Sequence, residues 1–266
     1  PYIDLVNEIL EVRLGAESWP EAPDPVRTSR PRSELASQPE ILYPEAHVAA
    51  YTALSEVVFP ISLPFDLWRE EARVYLRPLG VTREELARLA IARGESPDAW
   101  QLAAERLGTT PAMLEVIAGT STEDEHELWG LPSAGYPASI TQAATFMRQL
   151  ELSFEELQEL LATRSCATLG VAFTEPVGCS LGELSLTGLV GEGPGSPNGT
   201  LLNRLLRLRR LFGISLNEAS KLLEALGALD PLDEAKVLRS AAIAELRRRT
   251  GLPLDELLAW HAPMDT

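Results

Sequence analysis

The chain has 266 residues, of which 45% are hydrophobic and 23% charged, an ordinary composition for a folded globular protein. Its 39 acidic and 23 basic residues give a formal net charge of −16, which disfavours nucleic acid and anionic membranes as partners, since both bind clustered Lys and Arg. No apolar run approaches the roughly 20 residues of a membrane-spanning helix. The chain opens with Pro1, Tyr2 and Ile3 inside a helical pattern and without an initiator Met, which indicates a piece of a longer protein.

The N-terminal third predicts three helices separated by proline-rich segments. Apolar positions at helical spacing define the helices, and prolines exclude helix between them. The predicted helices cover 2–14, 44–59 and 66–78, and the extended segments cover 18–33 and 59–65. The segment 59–65 combines two prolines with apolar side chains, so we expect a stiff linker that is buried.

A single unit then recurs along the chain: a turn, an apolar residue, a cap and an amphipathic helix. Thr82, Ser153 and Ser215 are each followed three residues later by a glutamate, which is the pattern of a capping box. The units begin at residues 80, 108, 151, 213 and 251, and spacings of 28, 43, 62 and 38 residues are too uneven for a regular solenoid. The pattern predicts an all-α fold of irregularly stacked helical hairpins, as in an orthogonal bundle or a shell.

Two stretches interrupt the helical pattern. Residues 120–138 are acidic and then rich in Gly and Pro, which indicates a loop around one short turn. Within 168–199, residues 171–174 and 184–187 favour two short strands, and 191–199 are typical of a flexible linker. We therefore expect a small β-hairpin or loop insertion there. The predicted parts are a helical part at 1–165, an insertion at 166–200 and a helical part at 201–266, or one continuous domain.

Residues 201–226 form the clearest predicted hairpin. The first helix places a row of apolar side chains on one face, which predicts a helix packed on one side: Leu201, Leu205, Leu208 and Phe212. Gly213 stands where a left-handed helix end is expected. The same helix carries a basic stripe, made of Arg204, Arg207, Arg209 and Arg210. The following helix is acidic, unlike a DNA-recognition helix, so we expect the arginines to pair with carboxylates or helix ends.

Gly178 to Gly182 match the G-x-S-x-G nucleophile elbow of hydrolases, with Ser180 as the candidate nucleophile. That chemistry requires a buried strand before the serine and a helix after it. Pro176 interrupts the preceding run, and no alternating βα pattern supplies a sheet. The sequence therefore favours a turn at Ser180, and we expect no enzymatic activity.

Other chemically active residues give weaker signals. His126 lies among acidic neighbours that favour a charged imidazole, which makes it a candidate pH sensor beside the plainer reading of a solvated acidic loop. None of the three histidines has a Cys or His at metal spacing, so no metal site and no cofactor are predicted. Cys166 and Cys179 leave open whether they form a disulfide.

Several segments together resemble the A subunit of bacterial Tc (toxin complex) insecticidal toxins and its plasmid-virulence-protein-like region. The segments that carry the resemblance are 1–11 (PYIDLVNEILE), 51–65 (YTALSEVVFPISLPF), 153–164, 179–189, 201–226, and 250–260 with 264–266. The resemblance implies a large secreted oligomer whose A subunit forms an α-helical shell around a channel, binds cell-surface receptors and inserts the channel after a pH change. The segments 18–33 and 188–199 depart from the family pattern, and the family supplies no catalytic residues.

The first functional hypothesis is therefore a non-enzymatic shell segment of a secreted bacterial Tc-toxin-like A subunit. Its partners would be other domains of the parent chain, neighbouring subunits and a host cell-surface receptor, with no nucleic acid and no membrane insertion by this segment. The alternative is a module that binds a cell-surface protein or glycan through loops 120–138 and 168–199, with exposed Trp129, Tyr136 and Phe173 as anchors. A serine hydrolase at Ser180 is the least favoured hypothesis.

Overall fold

The computed structural model describes residues 2–15, 33, 44–94, 98–174, 181–189, 197–227 and 234–259. The described chain is mostly helical and contains one two-stranded sheet, which confirms the all-α prediction. The N-terminal helices are α1 Tyr2–Gly15, α2 Pro44–Glu56, α3 Leu67–Leu76 and α4 Arg83–Ala92, with a 3-10 turn at Arg77–Leu79. The central helices are α5 Ala99–Leu107, α6 Pro111–Ala118, α7 Glu125–Leu128, α8 Tyr136–Ile140, α9 Ala143–Leu150, α10 Phe154–Ala162 and α11 Arg164–Leu169. The C-terminal helices are α12 Pro197–Phe212, α13 Leu216–Ala225, α14 Glu234–Thr250 and α15 Leu254–Leu258.

The chain divides into two compact units, one within Pro1–Val57 and Leu63–Ala72 and the other within Val58–Ser62 and Arg73–Thr266. In the smaller unit α1 packs on α2, where Val12, Ala46 and Ala50 are buried. His47 Nδ1 lies 3.1 Å from Glu11 Oε1 across this helix pair. The predicted extended segment 18–33 lies outside the described residues except at Ser33.

The larger unit has one continuous apolar core that joins residues from Val58 to Leu258. In it α12 packs on α6, α7 and α13, while α14 packs on α5, α6 and α15. The core includes Cys166 and Leu186 from the predicted insertion. Residues on both sides of the predicted boundaries at 165 and 200 share this core.

The helix starts follow the predicted capping rules. Thr82, Ser153 and Ser215 accept hydrogen bonds from the amides of Glu85, Glu156 and Glu218, and each glutamate side chain bonds back to its cap residue. Gly213 has φ 58°, the left-handed conformation predicted for the end of α12. Pro253 differs, because its ring offers no side-chain acceptor, and α15 starts without a side-chain cap.

The two predicted interruptions contain more structure than expected. Residues 120–138 include the short helix α7 and the start of α8, instead of a loop around a single turn. The predicted hairpin is confirmed in shorter form, as antiparallel strands β1 Ala172–Phe173 and β2 Leu186–Thr187. The predicted linker is wrong at its end, because residues 197–199 form the first turn of α12, and residues 191–196 lie outside the described part.

Helix α12 lies at the centre of the larger unit. The prediction that it packs on one side only is wrong, since Leu202, Leu206 and Arg207 are buried as well as Leu201, Leu205 and Leu208 of the expected row. A helix can be buried on nearly all sides only if its polar side chains find partners. Asn203 and Arg207 meet this requirement through the bonds described below.

Candidate functional site

The predicted surface anchors Trp129 and Tyr136 are not on the surface. Trp129 is 0% exposed and Tyr136 is 6% exposed, so the expectation of exposed anchors is wrong for both. The Trp129 ring lies 5.5 Å from the Phe146 ring, and the Gln149 side chain donates to the Trp129 carbonyl at 2.7 Å. These contacts hold the part of the predicted loop 120–138 around Trp129 in the core.

Phe173 is half-buried on β1 and stacks on Phe154, with ring centroids 6.1 Å apart. Of the three aromatic rings predicted as anchors in the binding loops, two are therefore buried, and the third stacks on Phe154. The alternative hypothesis of a protein- or glycan-binding module loses the anchors on which it was based.

The Tyr136 side chain lies near both His126 and Trp129. Burial, followed by the nearby Glu125 carboxylate, raises the pKa of Tyr136. Glu125 and Trp129 are near enough to affect that pKa, yet the Tyr136 hydroxyl and the Trp129 indole N–H make no hydrogen bond of good geometry within the described part of the chain. Glu125 instead accepts a bond from Thr200 Oγ1 at 3.2 Å, which joins α7 to the first turn of α12.

The candidate pH sensor His126 is half-buried, and its ring centroid lies 6.5 Å from that of Tyr136. Its neighbourhood is therefore partly aromatic as well as acidic, unlike the fully solvated loop that the sequence also allowed. The pH-sensing role stays a prediction.

Arg207 is a buried cation, although in the sequence it is part of the predicted basic stripe. It is 1% exposed and donates from Nη2 to the Val58 carbonyl and from Nη1 to the Ile61 carbonyl at 3.3 Å. Its Nε donates to Asn203 Oδ1 at 2.7 Å, while Asn203 Nδ2 donates to the Leu128 carbonyl at 2.9 Å. Burial lowers the pKa of Arg207 to about 10. This chain of bonds fixes segment 58–62 and the end of α7 against α12.

Two further arginines of α12, Arg209 and Arg210, confirm the predicted pairing. Arg209 donates to Glu156 at 3.1 Å and to the Ile214 carbonyl at 3.2 Å, just beyond the end of its own helix. Arg210 lies 3.9 Å from Glu151. The Arg204 guanidinium lies directly over Gly119, where a Cβ atom would come within 2.1 Å of its Nη2. Arg207 and Arg209 are thus engaged inside the unit, while the buried Nε of Arg204 has no hydrogen-bond partner among the described residues.

Glu84 is the centre of an ion-pair cluster that the sequence did not reveal. Its carboxylate accepts bonds from Arg88 at 2.7 Å, Arg106 at 2.9 Å and Arg248 at 3.1 Å, and its side chain is 3% exposed. Although burial acts to raise the pKa of Glu84, the hydrogen bonds from Arg106 and Arg88 lower it overall. The cluster joins α4 to α5 and α14.

Helix α4 buries a charged residue and leaves several apolar side chains exposed. Glu84 is its only buried residue, whereas Leu86, Leu89 and Ile91 are 44%, 60% and 44% exposed. The preceding helix and turn add exposed Val74, Tyr75 and Leu79. We call the face of α4 that carries exposed Leu86 and Leu89, opposite Glu84, the α4 apolar surface. Large exposed apolar patches mark contact sites in soluble proteins, so this surface is the strongest candidate functional site.

The remaining chemical predictions concern Ser180, the two cysteines and metal binding. Ser180 and Cys179 lie outside the described residues, while Cys166 is a free, buried thiol whose pKa burial raises to about 11. Within the described ranges, His, Cys, Asp and Glu form no group suited to a metal ion. Among the same residues, no helix has the length and apolar character to cross a bilayer.

Comparisons with protein families, curated proteins and solved structures find no match.

Proposed function

We propose that this chain is a non-enzymatic structural segment of a larger secreted bacterial toxin subunit of the Tc A type. Its helical fold supports this proposal, and the resemblance in sequence suggests the class. The observation that carries it is the orientation of α4, which buries Glu84 against its own unit and leaves Leu86 and Leu89 exposed on the opposite face. Another domain of the parent chain, or a neighbouring subunit, would cover that apolar side.

The energetic argument rests on how α4 is held. Leucine and isoleucine side chains gain roughly 1.5–3 kcal/mol each on full burial, and the unit leaves about half of this gain unused in α4. Three arginines around Glu84 hold the helix in place through polar contacts. A helix attached in this way can offer its apolar face to a partner while remaining folded.

The test compares two matched pairs of substitutions in the parent protein. Leu86→Gln with Leu89→Gln removes apolar area from the α4 apolar surface, and Glu155→Gln with Glu159→Gln changes two exposed residues of α10 as a control. We expect the leucine pair to increase amide hydrogen exchange of residues 83–92 in the assembled parent by about 10-fold or more, since partner burial is lost. The control pair should leave that exchange unchanged.

Two results would overturn the proposal. In the first, residues 83–92 exchange as fast in the assembled wild-type parent as in the separate 266-residue chain, so that nothing covers them. In the second, the chain shows a hydrolase activity that Ser180→Ala abolishes, which would establish the enzymatic alternative.

A further inference from the structure

The larger unit contains a cavity where the ends of α12 and α14 meet the start of α15 and the end of α5. Its volume is about 570 Å³, within the range of small-molecule sites. The lining residues are Arg106, Leu107, Leu211, Phe212, Ala244, Arg247, Arg248, Gly251, Leu252 and Pro253. The lining therefore combines an apolar wall with three guanidinium groups.

The charge of this cavity is opposite to that of the chain as a whole. Three arginines and no carboxylate line it, although the formal net charge of the chain is −16. Glu84 and Glu245 pair with Arg106 and Arg248 from outside the lining, so Arg247 is the arginine whose charge is least compensated.

Arg247 and Arg106 each have N–H groups that make no hydrogen bond to a described residue. A guanidinium has five N–H donors. In its contacts with described residues, Arg247 uses Nη1 to reach the Phe212 carbonyl at 3.1 Å, and Arg106 uses Nε to reach Glu84. Guanidinium groups bind carboxylates through two parallel bonds, so the unused nitrogens suit a carboxylate ligand.

A second cavity beside α14 provides an internal comparison. It has the same volume of about 570 Å³ and is lined by Arg239, Ala242, Ile243, Glu245, Leu246, Arg249 and Thr250. The Glu245 carboxylate in its lining would repel an anion. Two cavities of equal size on one helix thus differ in the excess of positive charge in their linings, which is three arginines in the first and two arginines with one glutamate in the second.

We propose that the cavity lined by Arg106, Arg247 and Arg248 binds an apolar monocarboxylate. The carboxylate pairs with Arg247 and with the unused nitrogens of Arg106, and the apolar part lies against Leu211, Phe212 and Leu252. This site is distinct from the α4 apolar surface, although Arg106 and Arg248 also bind Glu84 of α4.

Isothermal titration of the 266-residue chain with decanoate tests the site. Decyltrimethylammonium, which has the same tail and the opposite charge, and acetate, which has no tail, are the comparison ligands. We expect decanoate to bind and both comparison ligands to fail, because the site requires a negative head and an apolar tail together. Raising the salt concentration should weaken decanoate binding, since the pairing is electrostatic.

The variant Arg247→Gln should weaken decanoate binding about 10-fold or more, as expected for loss of a charge-assisted hydrogen bond. Arg247→Lys should retain part of the affinity. Arg249→Gln, on the same helix but in the second cavity, should bind decanoate like the wild type.

Three outcomes would refute the site: no decanoate binding to the wild-type chain, equal binding of decyltrimethylammonium, or equal weakening by Arg247→Gln and Arg249→Gln. If Arg247→Gln fails to fold, the salt dependence and the ligand comparison on the wild-type chain decide the question alone. Binding that is insensitive to both charge and salt would then overturn the proposal.

Discussion

Helices α4 and α13 begin in the same way and differ in what they bury. Each starts with a capping box, formed by Thr82 and Glu85 in α4 and by Ser215 and Glu218 in α13. Helix α13 buries an apolar face that includes Leu216, Leu222 and Leu223, whereas α4 buries only Glu84. A capping box thus determines where a helix begins and does not determine which side faces the core.

The same contrast extends beyond these two helices. Among the described residues, every large apolar side chain that is exposed lies between Ile3 and Ile91. Apart from Val58 and Ile61, the shared core begins at Ala103. The N-terminal helices therefore supply outward-facing apolar area, and the later helices supply the self-contained core.

The largest expected effect compares one leucine from each helix. Leu222→Ala should reduce the free energy of unfolding by about 2–5 kcal/mol, because its side chain is fully buried and a cavity would remain. Leu89→Ala should cost less than about 0.5 kcal/mol in the separate chain, since that side chain is exposed. Urea unfolding measures both values, and similar losses would show that α4 is buried in solution.

A smaller effect is expected at the polar attachment of α4. Glu84→Gln should cost roughly 1–2 kcal/mol, at the low end for a charged hydrogen-bond cluster because Arg88 and Arg248 are about half exposed. The folded-state pKa of Glu84 lies below its ordinary value of 4.5. The stabilisation is therefore present above pH 4.5 and is lost as the pH falls through the folded-state pKa.

Thermal unfolding from pH 7 to pH 3 checks this sign. The difference in melting temperature between the wild type and Glu84→Gln should be full at neutral pH and should shrink in acid. Glu159→Gln, an exposed change on α10, should show no such pH-dependent difference. A difference that grows in acid would contradict the role assigned to Glu84.

The smallest effects concern the two caps. Ser215→Ala should lower the global free energy of unfolding by about 1 kcal/mol, because α13 is part of the core. Thr82→Ala should instead raise amide exchange within α4 about 5-fold, with little change in the urea midpoint, since α4 opens locally. If Thr82→Ala shifts the urea midpoint as much as Ser215→Ala does, α4 unfolds together with the core.

Local rules explain what the sequence could predict. Caps, glycine turns and prolines act over three or four residues, so they located helix starts at Thr82, Ser153 and Ser215 and the turn at Gly213. The short β-hairpin followed from strand-forming residues in the same way.

The errors concern contacts between residues far apart in the chain. Trp129 lies in a segment with loop composition, yet Gln149 and Phe146 enclose it. Arg207 belongs to an apparent surface stripe, yet carbonyls at Val58 and Ile61 accept its protons. No local pattern marks these partners, because their effect depends on the assembled fold.

The bonds of Arg207 have a consequence for synthesis of the chain on the ribosome. The two carbonyls precede Arg207 by 149 and 146 residues, so the segment that contains them is made long before its partner. At roughly 5–20 residues per second, this segment waits about 7–30 s for α12 to emerge. During that interval its apolar side chains lack the central helix of their core, and they are then available to chaperones or to a neighbouring nascent chain.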